Sequence, residues 1–332
     1  MSIAVVLQQM IMFFILIGIG MILYKKKMLS EATSKQISGM IVNVTNPALL
    51  ICSAFVDGPK ISLRELGMAL VVFLMIYAIL IGSSFLIPRI LRVPNQYHYS
   101  YQMMTVFGNV GFIGIPLASA VLGTESLIFV SINNLIFNIL IYTFGISLLQ
   151  KAAARQSAAA IEGQADIQDA QNVQAAISDT RVVSFRWKKI INAGTISAAA
   201  TIIFYLGNFP VPIIVSSTLN YMGQSTTLLS MLVLGASVAQ MAPKDIFSHP
   251  KLYGYVLLRQ ILIPVGCVLL FRPIINNTLI LNTLALMLAV PAGNLPLMLC
   301  KQLHAEGDTI SQGIILTTLL SLVTIPVVTL LL

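Results

Sequence analysis

The sequence is poor in charge. Only 9% of its 332 residues are Asp, Glu, Lys or Arg, against 57% hydrophobic, where a soluble domain carries about 25% charge. Such a chain cannot cover a globule with polar surface, so an integral membrane protein is expected. Acid is scarcer still. All 11 acidic residues fall between apolar runs or at their ends. With none at mid-membrane, the carboxylates that serve proton relays and many sodium sites are missing. Cys52, Cys267 and Cys300 sit in apolar context with no CxxC and no metal-ligand spacing. They read as small buried hydrophobes, and neither a metal site nor a cofactor is expected. No GxxxxGK[ST] is present for ATP, and no HExxH, membrane Asp pair or Ser/His dyad for an enzyme. His98 lies at a span end, and His249 and His304 lie in connections. No Lys or Arg precedes the first apolar run, so that run reads as a first span rather than a secretory signal.

What the chain does have is long apolar runs. Ten are long enough to cross a bilayer, which takes about 20 residues: 4–24, 36–56, 66–88, 98–122, 126–149, 189–208, 216–240, 251–271, 279–301 and 308–331. They are too long and too evenly apolar for barrel strands. The net charge of +8 does not point to nucleic acid, because 15 of the 19 basic residues lie in the odd-numbered connections. That asymmetry places those connections in the cytoplasm and both termini outside. Trp187, between Arg186 and Lys188, reads as either an interfacial anchor or a chance aromatic.

One connection is long. Residues 150–188, rich in Ala, Gln and Asp, read as a cytoplasmic linker, disordered or loosely helical. They divide the chain into a first five-helix repeat (1–149) and a second (189–332). Five is odd, so the two halves have opposite orientations, as in an inverted-repeat transporter. The fourth span of each half is interrupted, by "GNVGFIGIP" at 108–116 and "PAGNLP" at 291–296. Irregular backbone at membrane depth survives only where it is buried in protein or lines a cavity. Matched interruptions in inverted halves point to a transport site. Gly108, Gly111, Gly114 and Gly293 allow close backbone approach. Pro116, Pro291 and Pro296 each remove a donor. Asn109 and Asn294 are placed to bridge freed groups or to contact a ligand.

In order and spacing, these motifs resemble those of the auxin efflux carrier family. The resemblance spans essentially the whole chain, through "NPALL" (46–50), "GNVGFIGIPLASAVLG" (108–123), "LLSMLVLGASVA" (228–239), "RQILIP" (259–264) and "PAGNLP". It implies an all-α fold of ten transmembrane helices in two inverted five-helix repeats, with broken helices 4 and 9 crossed. It also implies a scaffold of spans 1, 2, 6 and 7, and a transport unit of spans 3–5 and 8–10 that shifts like an elevator. A homodimer joined through the scaffold, and a bacterial inner membrane like that of the family's malate or malonate permeases, follow from the same likeness. The 150–188 linker is short beside the regulatory loops of the plant long-loop carriers, so their phosphorylation control does not carry over.

Arg259 is the one charge inside a span, about 12 Å beyond Lys251 along a helix. It has no acidic partner at similar depth. One reading is a role toward an anionic substrate, direct or through the electrostatics of the crossing, since arginine matches a carboxylate with two parallel bonds. The other is snorkelling, or capping of carbonyls freed by Pro264. Asn43 and Asn46 share a face of span 2, and Asn134 and Asn138 a face of span 5; each pair reads as substrate contact or as interhelical bonding. The function expected is secondary transport of small organic anions, namely mono- or dicarboxylates or auxin-like acids. A sodium-coupled symporter of bile-acid type and a membrane sensor that binds without carrying are the alternatives.

Overall fold

The computed structural model describes residues 3–55, 61–152, 190–209, 211–241, 249–302 and 307–330. The linker 150–188 beyond its first residues, Trp187 and His304 lie outside them. Among the described residues the chain is helical throughout, with no strand. Its elements are α1 (Ile3–Lys25), α2 (Glu31–Met40), α3 (Asn46–Ser53), α4 (Leu63–Ile90), α5 (His98–Val106), α6 (Ile115–Leu122) and α7 (Leu127–Leu140) in the first part. After the linker come α8 (Ala193–Gly207), α9 (Ile213–Ala239), α10 (Pro250–Val256), α11 (Ile263–Phe271), α12 (Thr278–Ala289), α13 (Asn294–Gln302) and α14 (Asp308–Thr329).

Among the described residues, six helical stretches are long and apolar enough to cross a membrane: Ile3–Lys25, Leu63–Ile90, Thr124–Ala152, Ile213–Ala239, Pro250–Phe271 and Asp308–Thr329. Isoleucine and leucine side chains on α1, α4 and α9 stand exposed, as expected of surface that meets lipid rather than water. The stretches 110–122, 193–207 and 278–289 are apolar but shorter. Two of these are halves of the interrupted segments that the sequence marks.

Proline shapes several helices in the same way. The backbone widens to π spacing over Ile41–Thr45, Val110–Gly114 and Leu257–Leu262, and a proline follows each stretch two residues later: Pro47, Pro116 and Pro264. Proline has no N–H for the carbonyl one turn back. The N–H just before each proline reaches back five residues instead, from Asn46 to Ile41, Ile115 to Val110 and Ile263 to Leu258. Single π turns of this kind gather at functional positions.

Packing between helices depends on missing side chains. A methyl group on Gly20 would strike the Leu232 carbonyl, and one on Gly235 the Ile17 carbonyl. These glycines let α1 and α9 touch along their backbones, the usual means of helix association in lipid. Gly223 does the same for α9 against α3, where its added Cβ would lie 2.9 Å from the Leu49 Cα. The helix α9 thus packs directly on both α1 and α3. Beside them, α7 packs against α8 and α4 against α5.

Candidate functional site

The two interruptions meet. The helix through α5 ends at Val106, and the one through α12 ends at Ala289. Between each end and the next helical turn the chain is extended, and the two extended pieces pair. Gly108 and Ala292 form an isolated antiparallel bridge. The Asn109 N–H donates to the Pro291 carbonyl (2.7 Å), and the Gly293 N–H donates to the Phe107 carbonyl (3.0 Å). The glycines are required by this approach. A Cβ on Gly293 would sit 2.8 Å from the Gly108 carbonyl oxygen, and one on Gly108 would sit 2.8 Å from Val290 Cγ2.

This pairing diverts two helical donors. In an unbroken helix the Asn109 N–H would bond Thr105, and the Ala292 N–H would bond Leu288. Here the first goes to Pro291 and the second to Thr317 Oγ1 (3.1 Å). Two carbonyls are left over at the ends of α5 and α12. Arg259 takes both: Nε donates to the Thr105 carbonyl and Nη1 to the Leu288 carbonyl, each at 2.6 Å. Arg259 as a whole is 3% exposed, so it does not snorkel. Nor does it cap carbonyls freed by Pro264; the carbonyls it holds are freed by the two breaks. Two helix C-termini together carry about one negative elementary charge. Their convergence on Arg259 gives the buried cation its counter-charge without a carboxylate.

Arg259 faces a narrow cavity behind the crossing, lined also by Tyr77, Gly108, Asn133, Leu284 and Leu288. Its open core has room for roughly one water, and none for an organic acid.

Elsewhere at the crossing, Val110–Gly114 packs against α9, and Asn46 at the start of α3 reaches it. There Asn46 Nδ2 donates to the Gly111 carbonyl (3.0 Å), and Asn109 Oδ1 accepts from the Phe112 N–H (3.2 Å). The remaining amide atoms, Asn46 Oδ1 and Asn109 Nδ2, are buried and have no partner. Asn294 opens α13, and its half-buried side chain makes no hydrogen bond among the described residues. Gly114 packs against Met287 and Gly111 against Asn46. Pro116 and Pro296 each fall within the first turns of the second half-helix, α6 and α13, where the missing donor costs little.

Other residues marked in the sequence lie elsewhere. Asn134 Nδ2 donates to the Gly194 carbonyl (3.3 Å), and Asn138 Nδ2 donates back to Asn134. The first bond joins α7 to α8, the second stays within α7, and neither reaches the crossing. Asn43 bonds the Gly39 carbonyl one turn back. His98 bonds the Val93 carbonyl (2.9 Å). Thr317 is not legible in the sequence, because a threonine in an apolar helix reads as bonded to its own backbone. It does bond there, to Gly313, and its oxygen also accepts from Ala292.

The family model described as membrane transport protein matches residues 5–329. Among curated proteins, none matches the chain.

Proposed function

Since the chain belongs to the membrane transport protein family, that of the auxin efflux carriers, we propose that it is a secondary transporter of small organic anions, with the substrate held at the crossing of its two broken helices. The observation that carries this is the division of charge at the crossing. Both C-terminal ends, of α5 and α12, are neutralised by Arg259. The N-terminal ends that follow, at 110 and 294, keep their partial positive charge, a setting for an anion, although at the first of them the Val110 and Phe112 N–H groups already bond the Gly108 carbonyl and Asn109 Oδ1. The substrate set is Asn109, Asn294 and Asn46 with the backbone at Gly108 and Gly293. Arg259 acts through the crossing rather than by touching the substrate.

The proposed architecture is two inverted five-helix repeats, 1–149 and 189–332. The scaffold comprises α1, α2–α3, α8 and α9, and the remaining helices shift against it in an elevator motion. The direct backbone packing of α1 on α9 suits a rigid scaffold. Both termini outside, a bacterial inner membrane and a scaffold-joined homodimer complete the proposal. For a monoanion, an inside-negative potential of 100 mV favours export by about 2.3 kcal/mol, so no coupling ion is required.

The test is counterflow in liposomes holding the purified protein, with labelled malate, malonate, lactate and indole-3-acetate, first without sodium or a pH gradient and then with each. Saturable exchange of an anion supports the proposal. No exchange under any of these conditions defeats it and leaves a sensor.

A further inference from the structure

Asn46 and Asn109 grip the same peptide unit. The Gly111 carbonyl and the Phe112 N–H are the two ends of one peptide bond; Asn46 holds the first and Asn109 the second. Each amide is thereby fixed in orientation. Asn46 has its nitrogen engaged and presents Oδ1, which only accepts. Asn109 has its oxygen engaged and presents Nδ2, which only donates. Both presented atoms are buried and unpartnered, in residues 6% and 3% exposed. A buried polar atom without a partner is costly, and in a native site it calls for one.

We propose that this acceptor–donor pair reads a hydroxyl beside the carboxylate of the transported anion, so that the carrier selects 2-hydroxy acids over their deoxy counterparts. The inference rests on the crossing being an anion site. A carboxylate satisfies Asn109 Nδ2 but offers only lone pairs to Asn46 Oδ1. A hydroxyl on the neighbouring carbon supplies the missing donor.

Further unpartnered hydroxyls lie on the elements packed about the pair. Thr45 precedes Asn46, and its hydroxyl is buried without a partner. Thr226 and Ser230 of α9 are fully buried with unpartnered hydroxyls. They continue the face of α9 whose Gly223 meets Leu49, and α9 packs against both Ile41–Thr45 and Val110–Gly114. These hydroxyls supply hydrogen bonds to the remaining carboxylate oxygen. The pair is closed in this conformation, so the substrate reaches it when the crossing moves against α3 and α9.

The experiment is competition in the counterflow assay between acids matched in length: lactate against propionate, and malate against succinate. The wild type should favour the hydroxy acid by at least about tenfold, because a site built around a substrate hydroxyl is left unpaired by the deoxy analogue. In Asn46→Leu the preference should fall below about threefold; where the variant exchanges too little to compare, the 2-fluoropropionate competition in the wild type decides. As a check that needs no variant, 2-fluoropropionate, similar in size to lactate but without the donor, should compete as weakly as propionate. Equal exchange of hydroxy and deoxy acids by the wild type overturns the inference and leaves the anion carrier standing. So does lactate-like competition by 2-fluoropropionate, or a preference that survives Asn46→Leu. Exchange of no acid at all defeats the carrier proposal itself.

Discussion

Gly108 pairs with Ala292 across an antiparallel bridge deep in the protein, and its carbonyl leaves the neighbouring Gly293 no room for a side chain. Gly293→Ala places a methyl 2.8 Å from that oxygen, against backbone that cannot swing aside. The expected cost is about 1–3 kcal/mol, as for other overpacked cores. It should appear as a lowered thermal transition of the purified protein, together with loss of exchange. Gly266→Ala, where nothing lies within 4 Å of the added carbon, should change neither.

Arg259 holds two carbonyls at once, and only a forked cation does this. Arg259→Lys keeps the charge but places it as a point, so it should satisfy one helix end and lower stability and exchange together. Arg259→Met should be worse, since it leaves both buried carbonyls without their side-chain partner, at about 1–3 kcal/mol each. If transport in Arg259→Met has normal rates and only the substrate KM rises, Arg259 binds substrate directly and the positioning role fails.

Asn277 caps α12 by accepting from the Leu279 and Ile280 N–H groups, and its Nδ2 donates to Glu65 Oε1 at 2.7 Å. Glu65 in turn closes a capping box with Ser62 at the start of α4. One asparagine thus ties the start of a half-helix to the start of a full one. Asn277→Ala should cost about 1–2 kcal/mol through the lost cap, and Glu65→Gln less. The two thermal shifts should be less than additive in the double variant, because the residues share a bond.

Asn134 and Asn138 should be of little consequence for substrate affinity. Asn134 joins α7 to α8 and Asn138 bonds Asn134 within α7, and side-chain hydrogen bonds between membrane helices average about 0.6 kcal/mol. Asn134→Ala should lower the thermal transition slightly and leave the concentration dependence of exchange unchanged. A several-fold rise in KM would return these residues to the substrate site.

Much of this fold can be read in the sequence, because lipid imposes strong rules. Apolar runs mark the helices, and each marked run is found helical over most of its described length, with boundaries shifted by a few residues. The two breaks are legible because glycine, proline and asparagine are so ill-suited to mid-membrane that their presence demands a reason. What the breaks do to their neighbours is not legible. Nothing local to Arg259 says that its partners are carbonyls at 105 and 288, since those become free only when distant segments pair. The π turns are half legible: the prolines announce a disturbed ladder, but not that it resolves by widening. Thr317 and the α9 hydroxyls are invisible, because a threonine or serine in an apolar helix satisfies itself in most settings.

The central claim, that the crossing is exposed to each side of the membrane in turn and holds the anion, is tested most directly by labelling one position. Asn294→Cys, in a chain with Cys52, Cys267 and Cys300 replaced by Ala and exchange verified, is treated in oriented liposomes with a membrane-impermeant thiol reagent from either side. The account predicts labelling from both sides, slowed by the transported anion in each case. Labelling from one side only, or at a rate that no anion alters, would contradict it.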